Sequence, residues 1–311
     1  LWVAGMVWLQ WLRGSAGFHY EFEDDALYHQ LLSGLVDGGW FANTIHPVHR
    51  PSHLPLILIL LRPLHWILGG GWMAVYIIKA LAIGSGSVGV YLLARSQKLA
   101  PQAAATWSVI YLLFPPTIML ALSTFRALSL AVAPLLFLFW AFSARRFALY
   151  VGILALVLIV REDLALTAVL LSGVAVVRKY PVRWPVVTAA VCVGWYLVAT
   201  RLLLPSILPT DYDQTIYSSN IALSGLSDPT HWIAVAAIFL PLLGLPLLSW
   251  EVGVGAVGLA SILLHKSGFA GNLLHLMTPL VAAAVAGAVL TAARLQRPHL
   301  ERWVLAAVVV A

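Results

Sequence analysis

Between His19 and His53 the chain concentrates five of its twelve carboxylates, Glu21, Glu23, Asp24, Asp25 and Asp37, and five of its ten histidines, His19, His29, His46, His49 and His53. Four carboxylates within Glu21-Phe-Glu23-Asp24-Asp25 repel one another unless a cation or partner intervenes. Such a group can hold a divalent metal through oxygen, or draw a proton from an acceptor hydroxyl. It can equally be a solvated acidic loop. Asp24 and Asp25 lead into Ala-Leu-Tyr-His-Gln-Leu-Leu, a helical pattern, so either also fits an N-cap. His46-Pro-Val-His49-Arg50-Pro-Ser-His53 can offer imidazoles to a metal. Pro47 and Pro51 deny that spacing a fixed geometry, and a phosphate held by Arg50 and His53 is the more economical use.

Arg161-Glu162-Asp163 places three consecutive ionisable residues between two apolar runs. Charge at membrane depth is costly and tends to face a cavity or a partner. The bland alternative is a tight turn closed by an Arg–Glu pair. Arg126 stands at another helix end; with Arg50, Lys79, Arg201 and Lys266 it reads as a cationic pocket for phosphate, or as separate anchors at the membrane boundary. Tyr212, Tyr217, Asp211 and Asp213 suggest the lining of a sugar or lipid entrance without specifying one. There is no Walker loop, dinucleotide fingerprint, nucleophile elbow or H-E-x-x-H, so soluble-nucleotide chemistry is unsupported.

The elements that must position these residues are membrane helices. Only 10% of the 311 residues are charged and mean hydropathy is +0.93, against about 25% charged residues in average globular domains. Apolar runs of roughly 15–22 residues recur throughout, the length scale of a hydrocarbon core, and backbone in lipid must satisfy itself as helix. We expect an all-α polytopic bundle of about eleven spans: 1–13, 72–94, 101–123, 127–143, 147–161, 163–178, 184–203, 231–249, 251–265, 274–294 and 302–311. Residues 1–311 form one transmembrane domain, with external loops at 14–71 and 204–230. Both termini read as cut from a longer chain.

The net charge of +6 is dispersed over short loops, so it encodes topology rather than nucleic-acid binding. Arg95/Lys98, Arg145/Arg146, Arg178/Lys179/Arg183 and Arg294/Arg297/Arg302 mark the cytoplasmic connections. Segment 54–69 would reverse that parity if it crossed; with Pro55, Arg62, Pro63 and His65 it reads as an interfacial helix of the first external loop. Most carboxylates and histidines then face the external side. Cys192, the single cysteine, lies in an apolar run and permits no internal disulfide.

The chain resembles the membrane proteins of domain-of-unknown-function family 2079, which are similar in layout to the C-type, polyprenyl-phosphate-sugar-dependent glycosyltransferases. The resemblance runs from about residue 20 to 290. Asp24-Asp-Ala-Leu-Tyr-His-Gln30 resembles D-L-G-I-F-D-Q. His53-Leu-Pro-Leu through Arg62-Pro-Leu-His65 resembles H-F-S-P followed by A-P-L-Y. Arg161-Glu-Asp-Leu-Ala-Leu166 resembles K-E-D-L-A-L, and His275-Leu-Met-Thr-Pro279 resembles H-Y-S-A-P. Two departures stand out: His29 replaces the family's second Asp, and Phe125-Arg126-Ala127 replaces F-H-P.

The resemblance implies a C-type glycosyltransferase-like fold in a prokaryotic plasma membrane, with its site on the extracytoplasmic side. It implies acids at Asp24, Asp25, Glu162 and Asp163, with Asp24 as general base. Contacts to a polyprenyl-phosphate sugar come from Arg50, His53, Arg126, His275 and Gln30, and a divalent cation (Mg or Mn) from Asp24, Asp163 and His53. Membrane lipid is the expected surrounding partner. The alternative is a non-catalytic transporter, lipid-binding subunit or scaffold on the same bundle.

Overall fold

The computed structural model describes residues 1–15, 22–34, 42, 44, 53–207, 222–266, 275–297 and 299–311. It is all-helical, with 82% of the described residues in helix and no strand among them. The helices are α1 (Trp2–Ser15), α2 (Phe22–Ser33), α3 (Ile57–Ile67), α4 (Trp72–Ser96), α5 (Pro101–Leu113), α6 (Pro115–Leu122), α7 (Val132–Ser143), α8 (Phe147–Val160), α9 (Leu164–Ala168), α10 (Leu170–Val177), α11 (Arg183–Val198), α12 (Pro229–Phe239), α13 (Ala256–Leu263), α14 (Thr278–Leu295) and α15 (Leu300–Val310). A wider turn, Ala199–Leu203, carries α11 on to Ile207.

Each apolar run that predicts a helix contains one, but many are shorter than a span. Among the described residues three helices are long and apolar enough to cross a membrane: Trp72–Ser96, Arg183–Ile207 and His275–Leu295. A fourth joins them if α5 and α6, bent by 49° at Phe114, are taken as one. Proline explains several of the breaks, because it lacks an N–H and pushes the preceding residue out of the α region. Phe114, before Pro115, is extended at φ −61°, ψ 121°. The 231–249 run is helical only to Phe239; Pro241 and Pro246 then break it into turns and a short 3-10 segment, Leu245–Leu248. Residues 127–131 and 250–255 are likewise 3-10 rather than α.

α14 is the centre of the bundle. Residues 278–292 are all buried, mostly Ala, Val and Gly, and pack against α7, α4 and the 3-10 segments around residues 245–255. Small residues permit such close approach. At Gly255 an added Cβ would lie 2.8 Å from Leu280 Cδ1 and 2.9 Å from its Cα. α4 packs chiefly on α5 and α7. α3 has 11 residues, too few to cross, and turns into α4 through Gly69 and Gly70, both at positive φ where only glycine is unstrained.

The connections gather at two opposite ends. At one, the Tyr180 hydroxyl donates to Phe142 O (3.1 Å), Arg178 Nη2 to Glu251 Oε1 (2.7 Å), and Arg294 Nη2 to Leu248 O (3.1 Å). At the other lie α2, residue 53 and the ends of α6 and α8.

Candidate functional site

α2 begins at Phe22, so Asp24 and Asp25 sit inside its first turn rather than capping it. Consecutive helical residues point about 100° apart, and these two acids separate accordingly. Asp25 turns into the bundle, its side chain 3% exposed; Oδ1 accepts from Phe125 N at 2.5 Å and Oδ2 lies 3.5 Å from Arg13 Nη2. Asp24 stays 23% exposed and forms an ion pair with Arg126 Nη2. The acid that can meet another molecule is therefore Asp24.

The second half of the site comes from the break between α8 and α9. Glu162 is buried and doubly engaged: Oε1 meets His53 Nδ1 at 2.6 Å, and Oε2 accepts from Leu54 N at 2.8 Å. Burial pushes its carboxyl upward, but the hydrogen bond and charge of His53 outweigh this and hold it below the usual range. Arg161 turns to Asp163 instead, donating from Nε to Oδ1 at 2.6 Å and from Nη2 to Oδ2. Such a fork is the strong form of the interaction. The Arg–Glu closure of this turn is thus an Arg–Asp closure, and Glu162 is released to hold the 53–54 segment.

Tyr28 joins the halves. One turn after Asp24 on α2, its ring lies 5.2 Å from that of Phe125. Its phenol, raised by burial, senses Arg126 and Asp24 on one side and Arg161 on the other. His53 is within electrostatic reach of both Glu162 and Asp163. Beside them is a small crevice, partly open to solvent and lined by Arg161, Asp163, Leu128, Thr167, Ser261 and Leu276 among others. His275, the neighbour of Leu276, is buried at the start of α14.

The sequence-derived candidates thus divide. Asp24, Arg126, His53, Glu162 and Asp163 meet at one end of the bundle. Gln30 faces elsewhere, donating to Thr44 Oγ1 and accepting from Thr44 N, both at 2.8 Å. His29, one of the two departures, turns to the connection between α3 and α4; its ring stacks on Trp72 at 4.7 Å and its Nε2 meets Gly70 O at 3.2 Å. Lys79 belongs to no phosphate pocket here, since its ammonium bonds the carbonyls of Ser123 and Thr124. Arg201 is exposed on the extension of α11. Arg50, His46, His49, Glu21, Asp37, Asp211, Tyr212, Asp213 and Tyr217 lie outside the described residues, as does the side chain of Glu23.

The proposed cation ligands do not form one ligand set. Asp24 is spent on Arg126, Asp163 on Arg161 and His53 on Glu162. Among the described residues no three His, Cys, Asp or Glu side chains converge. Among the described residues, Asp24, Asp163 and His53 do not in this arrangement make a ligand set for a divalent metal.

Sequence reasoning missed Tyr28, Gln10, Arg13 and the Leu54 amide. Only Arg13 carried a signal, as a charge at the end of an apolar helix.

Among known proteins, no curated sequence and no solved structure matches this chain. Residues 23–311 do match one family, described as predicted membrane protein. A bundle of apolar helices with its polar groups drawn to the ends is what that description requires, and the match covers nearly the whole chain: the protein belongs to the predicted membrane protein family DUF2079.

Proposed function

We propose that this protein is a membrane glycosyltransferase that moves a sugar from a polyprenyl-phosphate donor to an acceptor hydroxyl or amide on the extracytoplasmic face of a prokaryotic plasma membrane. The observation that carries the reading is the partly exposed Asp24–Arg126 pair, set within the charged cluster that also contains Arg161–Asp163 and its crevice. Positive connections at 95–98, 145–146, 178–183 and 294–302 support an external orientation for this end. The shorter apolar helices, joined through the turns and 3-10 segments between them, make up the remaining passes of a bundle of about eleven spans, in the manner of the C-type glycosyltransferases.

Chemistry follows from exchanging partners. In the resting pair Arg126 and Asp24 neutralise each other. A donor phosphate replaces Asp24 on the guanidinium, and the released carboxylate turns to the acceptor. The acceptor oxygen attacks the anomeric carbon as its proton passes to Asp24. The sugar–phosphate C–O bond breaks, and its electron pair leaves on the phosphate, steadied by Arg126. Glu162 and His53 hold the wall, and no step requires a metal.

The test is transfer of radiolabel from a panel of polyprenyl-phosphate hexoses and pentoses in membranes carrying the intact chain or Asp24→Asn. Loss of about 10²-fold or more in Asp24→Asn is expected for removal of a general base; equal incorporation by both chains removes Asp24 from the mechanism. A second reading, a non-catalytic lipid-binding or scaffold subunit or a transporter, is favoured by one observation. Asp24, Asp25, Glu162 and Asp163 each already have a partner within the chain. Absence of transfer from the whole panel selects it.

A further inference from the structure

α6 is an eight-residue helix ending inside the bundle at Leu122. A helix leaves its last carbonyls without partners in its own ladder. In α6, Ser123 N and Ser123 Oγ meet Met119 O and Leu120 O, and side chains from two other helices take the carbonyls that follow. From α1, Gln10 Nε2 donates to Ala121 O and to Ser123 O, the latter at 3.2 Å, and Arg13 Nη1 donates to Leu122 O at 2.7 Å. From α4, the Lys79 ammonium donates to Ser123 O and, at 3.0 Å, to Thr124 O. All four carbonyls from 121 to 124 are therefore engaged, and two of the three donors are cations placed where the helix dipole favours them.

The chain then runs extended, and the next group, Phe125 N–H, is taken by Asp25 at 2.5 Å, with Arg13 beside that carboxylate at 3.5 Å. Arg126 O accepts from Ser129 N at 3.0 Å and from Ser129 Oγ at 2.6 Å. The carbonyls of residues 121–124 and the Phe125 N–H are thus held by α1, α4 and α2, and the Arg126 carbonyl by the turn that follows it, on the two sides of the residue that meets Asp24.

We infer that Gln10, Arg13, Asp25 and Lys79 are positioning residues, forming a clamp that fixes residues 121–126 so that the Arg126 guanidinium is delivered to Asp24. The adjacent acids on α2 thus divide the work, Asp25 holding the backbone and Asp24 facing the ligand. Lys79 explains itself in the same way: a buried ammonium on a membrane helix is tolerated because carbonyl oxygens surround it. The inference rests on the reading of Asp24 and Arg126 as base and phosphate partner, but its geometry is measurable without that reading.

The experiment is hydrogen exchange on the full chain in lipid nanodiscs, comparing the wild type with Lys79→Met, Lys79→Arg and Gln10→Leu. Local opening is read peptide by peptide in such data. In Lys79→Met, exchange in the peptide spanning 121–127 rises about ten-fold or more while α14 keeps its protection, and Lys79→Arg restores most of the protection. Unchanged exchange at 121–127 overturns the clamp, as does a uniform rise across the whole chain, which would make Lys79 a general stabiliser. Gln10→Leu removes no charge and decides the matter by the same criterion if Lys79→Met does not fold.

In the transfer assay, Lys79→Met raises the donor KM about ten-fold and leaves the acceptor KM unchanged, the split expected when a phosphate contact is displaced rather than the bundle loosened. A wild type that transfers nothing defeats the proposed function, and the exchange experiment alone then judges the clamp.

Discussion

At the scale of single residues, Glu162 does the most. One oxygen meets His53 and the other the Leu54 amide, so a single carboxylate ties the α8–α9 break to the segment entering α3. Glu162→Ala leaves that buried amide without an acceptor and is expected to cost about 1–3 kcal/mol, read as a lowered unfolding temperature in detergent. The pH dependence has a definite sign. The folded carboxyl is held below its ordinary value, so its contribution is complete above the unfolded value, about 4.3. That contribution is lost as pH falls through the lower folded value. Acidification from about pH 5 to about pH 3 should lower the wild-type unfolding temperature more steeply than that of Glu162→Gln.

The sequence identified Glu162 as a candidate because ionisable residues are conspicuous among apolar ones. It could not say that Glu162 answers His53, more than a hundred residues away, while Arg161 answers Asp163, two residues away. Asp24 and Asp25 are alike as letters. Only their different directions from one helix separate the ligand-facing acid from the buried one. The departure at His29 is plain in sequence, but its stacking on Trp72 and its contact with Gly70 O are not.

At the scale of elements, hydropathy located nearly every helix because burial in lipid demands long apolar runs. Their interruptions were less legible. Pro115 and Pro246 are visible as letters, but whether proline kinks a helix or ends it depends on what satisfies the freed backbone groups. At α6 the answer lies on α1 and α4, which no local pattern reveals. The 3-10 segment before α13 is similar, being set by contact with α14. Gly255→Ala would press a methyl group onto Leu280 Cα, and overpacking of this kind costs about 1–3 kcal/mol. Gly253→Ala has open space around it and should be close to neutral. Thermal unfolding of the two variants side by side checks the contact.

For the whole molecule, one end holds Asp24, Asp25, His53, Glu162 and Asp163, and the other holds Arg145, Arg178, Glu251 and Arg294. The charge bias predicts which end faces the cytoplasm. In a Cys192→Ala background, a membrane-impermeant thiol reagent should label Ser227→Cys in intact cells and Lys179→Cys only after permeabilisation. The reverse pattern inverts the topology and moves Asp24 to the cytoplasmic side. Both positions are exposed, and Cys192 itself is buried.

The bundle also divides its helices between two solvents. In α14, 89% of the membrane-length window is buried within the protein; in the helix from Arg183 to Ile207 the figure is 17%. A peripheral helix meets a bilayer of the wrong thickness by tilting, at a modest cost per ångström of mismatch, whereas α14 has almost no lipid contact through which to register one. Changes in acyl-chain length or sterol content are therefore absorbed first at the rim, while the axle keeps its register.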